Sequence, residues 1–180
     1  MSGGRLSRRL AVALLVCLLL TGCKRRDRKV RIVQTDEDSA SLASVIHMSD
    51  PSAAPQLLKG FHAIEEKSWR WTMGEFAVVL RPPRNAATKG ATLHFKFTLP
   101  EAVLAKVKPV SLSASVSGTA LPPETYTQAG EFDYSRDIDG KLLASDAVNV
   151  EFKLDKFLPA GTVETRELGV IATSAGLEAK

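Results

Sequence analysis

Polar and apolar positions alternate most cleanly over residues 92–99, where Leu93, Phe95, Phe97 and Leu99 share one side and Thr92, His94, Lys96 and Thr98 the other. Successive side chains of a strand point to opposite faces, so this spacing predicts a strand with one face buried and one wet. Residues 110–116 repeat the pattern with small serines outside, and residues 148–154 repeat it with Asn149, Glu151 and Lys153 outside. Weaker strands are predicted at 76–80, 131–135 and 168–173, with short ones at 69–72 and 124–127. Breakers stand between them: Pro82-Pro83, Asn85 to Gly90, Pro100, Pro109, Gly118, Pro122-Pro123, Gly130, Asp139-Gly140 and Pro159 to Gly161. The one helical turn expected is 101–106. Short strands, each wet on one face, predict an all-β domain over residues 57–180, an antiparallel β-sandwich of the jelly-roll kind; a closed barrel is the alternative.

Upstream the pattern is different. Arg5, Arg8 and Arg9 precede an unbroken apolar run from Leu10 to Leu20, which ends on Thr21, Gly22 and Cys23. A basic start followed by a short apolar run reads as an export signal, and the run is too short for the roughly 20 residues that span a bilayer. Leu20-Thr21-Gly22-Cys23 resembles the lipobox of bacterial lipoproteins. The resemblance implies cleavage after residue 22, acylation of Cys23 and a bilayer partner reached through that lipid. Residues 1–22 are then the signal peptide, 23–56 a lipidated basic tether with a disordered spacer, and 57–180 the folded domain. Lys24 directly after the cysteine, where an Asp commonly marks inner-membrane retention in such lipoproteins, implies the outer membrane if the organism has one.

Charge sharpens this division. Lys24, Arg25, Arg26, Arg28, Lys29 and Arg31 face only Asp27, a net of +5, whereas from Ile32 onward 15 Lys and Arg stand against 19 Asp and Glu. The chain's overall charge of +4 therefore belongs to the signal and tether, not to the domain. A basic run beside a lipid anchor fits anionic headgroups, and no nucleic acid partner is expected. Residues 34–56 are rich in Asp, Glu, Ser and Pro with no sustained period, which predicts a flexible spacer with His47 in solvent. Both cysteines are accounted for by the signal and the lipid, so the domain is expected to stand without a disulfide.

No motif announces catalysis: there is no phosphate loop, paired-histidine helix, cysteine pair or Gly-x-Ser-x-Gly elbow. Glu65 and Glu66 are adjacent and diverge, whereas a glycosidase pair must face each other across a sugar. The acidic run Asp133, Asp137, Asp139, Gly140 and Asp146 matches a calcium loop poorly, and Asp139-Gly140 reads instead as a hairpin turn. No catalytic residue, metal or cofactor is expected.

The most unusual composition is Gly60 to Thr72, which holds both tryptophans. Gly60-Phe61-His62, a glutamate, then Arg70-Trp71-Thr72, with Arg166-Glu167-Leu168-Gly169-Val170 near the end, resembles β-sandwich domains attached to bacterial glycosyltransferases and other cell-surface polysaccharide proteins. Ser113 to Gly118, Leu121 and Gly130 to Tyr134 are similar to jelly-roll modules of the carbohydrate-binding type. The resemblance implies a ligand surface made by His62, Glu66, Trp69, Arg70, Trp71 and Arg166. Tryptophan faces suit the apolar faces of sugar rings, and Arg and Glu offer planar charged hydrogen bonds. The same residues could instead brace the first strand against the last, with Trp71 in the core and Trp69 exposed. The expected function is a lipid-anchored, non-catalytic module of the cell envelope whose partner is a surface glycan. The alternative is a scaffold that engages another envelope protein.

Overall fold

The alternating segments do form strands. The computed structural model describes residues 42–180, which belong to a unit beginning at Ala40. Its strands are β1 (Val45–His47), β2 (Leu57–Glu65), β3 (Trp69–Leu80), β4 (Ala91–Leu99), β5 (Val110–Val116), β6 (Thr119–Tyr126), β7 (Gly130–Ile138), β8 (Val148–Leu154) and β9 (Ile171–Ala179). All pairings are antiparallel, in the order β6-β5-β8-β3-β9-β4-β7, with β2 beside β3 and β1 beside β9.

β3 makes two layers out of this sheet. Its residues Arg70 and Trp71 pair with β9, whereas Glu75 to Leu80 pair with β8. Where it changes partner, the β8–β9 loop supplies the missing hydrogen bonds: Gly169 N donates to Thr72 O at 2.7 Å and Thr72 N to Val170 O at 2.9 Å. Gly74 N donates to the Glu167 carboxylate at 2.7 Å, so this amide of the bend is paired as well. One layer is the first half of β3 with β9, β4 and β7; the other is its second half with β8, β5 and β6. From β3 to β4, β4 to β5, β6 to β7, β7 to β8 and β8 to β9 the chain passes from layer to layer, which is jelly-roll wiring.

The core lies between the layers. Phe76 of β3 stacks on Phe152 of β8 at 5.0 Å, and Phe95 of β4 reaches across to within 4.7 Å of Phe152 and 5.1 Å of Phe76. All three are essentially buried, and truncating one to Ala removes about 3–5 kcal/mol.

Several expectations are corrected. Residues 42–56 are not spacer: Ile46 and Met48 are buried, β1 pairs with β9, and a 3-10 helix spans Pro51–Gln56. The apolar residues there are too sparse to show a period, yet each finds a seam in the fold. The buried Gln56 amide receives Ala43 N at 2.9 Å and donates to Ala43 O at 3.1 Å and Val79 O at 2.8 Å. His47 stays exposed although it lies in β1. β2 was not anticipated, because its register shifts three times against β3 and no alternation survives. The last strand starts at Ile171 rather than residue 168; Leu168 makes only an isolated bridge to Leu158. Pro122-Pro123 sits within β6, at a bulge in an outer strand where no ladder N–H is needed. Asp139-Gly140 is no hairpin, since β7 and β8 lie in different layers; Asp139 instead caps the 3-10 helix Gly140–Leu143 by accepting from Lys141 N. The helical turn is longer than expected, Glu101–Val107, and a second short helix, Ala86–Lys89, occupies the breaker at 85–90. Cys23, the signal peptide and the tether to residue 41 lie outside the described residues.

Candidate functional site

At the start of β3 the core-facing positions are Thr72, Gly74 and Phe76, so the odd positions Trp69, Trp71 and Met73 face outward. Trp69 and Trp71 stand edge to face, with ring centroids 6.1 Å apart and planes at 89°, and each is half-buried. Trp71 also packs against the core cluster, which Trp69 does not, so the two rings differ in the sense expected although both are half-buried on this side of the strand. The pair has the edge-to-face geometry that aromatic rings prefer.

Arg166 borders this pair. Its Nη1 donates to Glu65 at 2.5 Å and its Nε to Glu164 at 2.5 Å, and Glu65 is the register partner of Trp69. These hydrogen bonds, Glu164 first and Glu65 second, push the Arg166 guanidinium above the usual arginine range. Arg70 points to the other side of the strand, where its Nε donates to Met48 O at 3.2 Å and its Nη1 to His62 O at 3.0 Å. Burial pulls Arg70 below the usual range. His62 Nε2 donates to Glu167 O at 2.7 Å, which places its proton on that nitrogen. Glu66 sits in the β2–β3 turn at φ 49°, exposed, its carbonyl accepting from Ser68 Oγ at 2.9 Å. Trp69, Trp71 and Arg166 thus come together on one face, Arg70 and His62 tie loops to β2 and β3, and Glu66 belongs to a turn.

Residues opposite one another in antiparallel strands share a face, and the register extends the tryptophan face across the layer. Trp71 pairs with Ile171, Ile171 with Thr98, and Thr98 with Glu131, a row that crosses β3, β9, β4 and β7. Beside this row lies an open hollow of about 350 Å³ lined by Lys96, Thr98, Glu131, Asp133 and Thr173. His94 Nδ1 lies 2.9 Å from Asp133, and Lys180 lies 3.0 Å from Asp137, whose hydrogen bonds to Lys180 and Thr92 hold it below the usual carboxylate range. Glu131 is exposed and has no ion-pair partner among the described residues.

A larger hollow, about 490 Å³, lies past Met73 at the bend of β3, lined in part by Gly60, Phe157 and Glu167. Its Glu75 bonds Lys153 at 2.9 Å, with Lys59 at 3.9 Å, and both lysines hold Glu75 below the usual range, Lys153 the more, while Asp155 and Glu167 accept from the backbone amides of Ser111 and Gly74. The acidic run that matches a calcium loop poorly in sequence is dispersed, with Asp133 and Asp137 on β7 and Asp139 at a helix cap. Among the described residues no group of three or more His, Cys, Asp or Glu is arranged to hold a metal ion.

No protein family and no curated protein matches this sequence. Among solved structures the chain is similar to a family GH115 4-O-methyl-α-glucuronidase with specificity for decorated arabinogalactans, at 10% identity, TM-score 0.43, over 77% of this chain and 18% of that one. It is also similar to the exo-β-1,3-galactanase of Phanerochaete chrysosporium crystallised with β-1,3-galactotriose, at 9% identity, TM-score 0.39, over 76% of this chain and 29% of that one. A family 35 carbohydrate-binding module from an environmental isolate is similar at 11% identity, TM-score 0.36, over 78% of this chain and 88% of that one. The chain spans less than a third of the length of the two enzymes. The likeness is one of β architecture.

The sequence reading placed Thr98 and Lys96 on a wet face and Glu131 in a strand, without joining them to the tryptophans. The missing step was pairing: β9 had to be placed between β3 and β4 before Trp71 and Glu131 could share a row.

Proposed function

We propose that this protein is a lipid-anchored glycan-binding module of the cell envelope, non-catalytic, with its binding surface on the outer face of the β3-β9-β4-β7 layer. The observation that carries the reading is the Trp69–Trp71 pair on the same face as the Lys96, Thr98, Glu131 hollow. A sugar needs an aromatic surface for its C–H face and polar groups around it for its hydroxyls, and this face supplies both. Arg166, tied to two carboxylates, orients the edge of the platform rather than reaching into the hollow.

The test is a glycan array on the full chain in detergent, followed by titration of any glycan retained. Trp71→Ala is expected to weaken binding at least about 10-fold, equivalent to about 1.4 kcal/mol, when titrated well below an unfolding midpoint that the lost contact with the core also lowers. Retention of no glycan, or equal binding by wild type and Trp71→Ala, would refute the reading and favour an envelope protein as the partner. Anchoring rests on Leu20 to Cys23, and the outer membrane is favoured in a two-membrane cell because Lys24 follows the cysteine. Labelled fatty acid should enter the wild type and not Cys23→Ala; label in both, or in neither, would rule the lipoprotein reading out.

A further inference from the structure

Building on the glycan-binding reading, we infer that the occupant of this face is an amine-bearing oligosaccharide lying across the strands, with one unit on Trp71 and an ammonium at Glu131. The span follows from the register. Trp71 and Glu131 are the ends of a row of four paired strands, and three inter-strand steps amount to about 14 Å. A single sugar is roughly one strand spacing long, so a ligand that touches both ends must be a run of at least three units. Ile171 and Thr98 lie between the ends, and Thr98, which lines the hollow, offers a hydroxyl along the row.

The charge follows from what is already paired. Glu65, Glu131, Asp133, Asp137 and Glu178 occupy this face against Lys96 and the imidazole of His94, which lies 2.9 Å from Asp133 and 3.9 Å from Glu178. Arg166 and Lys180 reach in from the rim, but Arg166 is held by Glu164 and Glu65, and Lys180 by Asp137. Lys96 shares its row with Asp133 and Ser174. Of the charged groups that line the hollow, Lys96, Glu131 and Asp133, Asp133 is bonded to His94, and the carboxylate without an ion-pair partner among the described residues is Glu131. An ammonium placed there gains a charge-assisted hydrogen bond, and a second amine over the Trp71 face gains cation–π attraction. A uronate or sulfated chain would instead meet like charge along β7 and β9.

The test uses the full chain in detergent and tetramers of glucosamine and of its N-acetylated counterpart, which share one backbone, with a galacturonate tetramer as the acidic comparator. The glucosamine tetramer is expected to bind at least about 10-fold tighter than the acetylated tetramer and than its own dimer. That preference should shrink as salt rises from about 20 mM to about 300 mM, because the charges are exposed. Glu131→Gln should lower binding of the glucosamine tetramer about 10-fold, and the salt series reads the same charge without a variant. Equal or tighter binding of the acetylated or acidic tetramer overturns the charge inference while glycan binding stands. Equal binding of dimer and tetramer overturns the span. If no oligomer binds and Trp71→Ala changes nothing, the glycan-binding reading itself has failed.

Discussion

Gly60 shows how a single position holds the site together. It sits at φ 77° where β2 presses on β3, and a Cβ there would stand 2.1 Å from Glu75 O and 2.7 Å from Phe76 Cα. Both neighbours are backbone, so neither can swing aside. Gly60→Ala is expected to cost at least about 2 kcal/mol, through the left-handed conformation and the clash together. Gly118, at φ 82° with nothing within 4 Å of its Cβ, isolates the conformational part, and Gly118→Ala should cost only about 1 kcal/mol. Urea midpoints measure both; equal losses would mean that close approach at Gly60 contributes nothing. Gly169 follows the same logic, its Cβ meeting Thr72 Oγ1 at 2.6 Å and Met73 O at 2.7 Å. The Gly-Phe-His and Leu-Gly-Val steps that resemble polysaccharide-associated domains therefore have a packing cause in this chain, and they bring Glu65 and Arg166 to the edge of the tryptophan platform.

Among the elements, β6 and β7 close the sandwich by a route other than a backbone ladder. Tyr134 Oη donates to Pro122 O at 2.8 Å, Arg136 Nε donates to the same carbonyl at 2.8 Å, and Arg136 Nη2 pairs with Glu124 at 2.9 Å. Tyr126, the last residue of β6, packs on Phe132 and Phe97, and its hydroxyl is buried with no hydrogen-bond partner among the described residues. Burial, as the largest cause, pushes both tyrosines above the usual phenol range. A phenol whose folded value is raised contributes stability that is present below about pH 10 and is lost as pH climbs toward its folded value, because the unfolded chain ionises first. The chain has only these two tyrosines. Native protein should show no tyrosinate absorbance near pH 10, and ionisation should coincide with unfolding. A half-amplitude rise near pH 10 in the folded protein would mean that one ring reaches solvent and the seam is open.

For the molecule as a whole, the entry point and the platform lie at opposite ends of β3. Ala43, where the chain joins the fold, accepts from Arg81 N just beyond Leu80, whereas Trp69 opens the strand. Gln56 grips both backbone groups of Ala43, so the first described residues are fixed by a buried, doubly bonded side chain. Residues 42–56 belong to the fold because their few apolar side chains fill the seam beside β9.

The sequence alone determined the faces of the regular strands. Over β4, β5 and β8 the alternation named the buried and exposed positions, because a half-buried strand has a period of two whatever its neighbours. It also singled out the tryptophans and Arg166. Only the tertiary structure decided what those residues do. It paired Arg166 with Glu65 and Glu164 rather than Glu66, turned Arg70 and His62 to backbone carbonyls, and set Trp71 in one row with Glu131. β2 and β9 could not be read with their true limits because bulges and small residues erase the period: Gly176 must stay small where a Cβ would meet Val45 at 2.7 Å. Alternation is a property of one strand, but a binding face is a property of register between strands distant in sequence, and register is set by packing that no local pattern encodes.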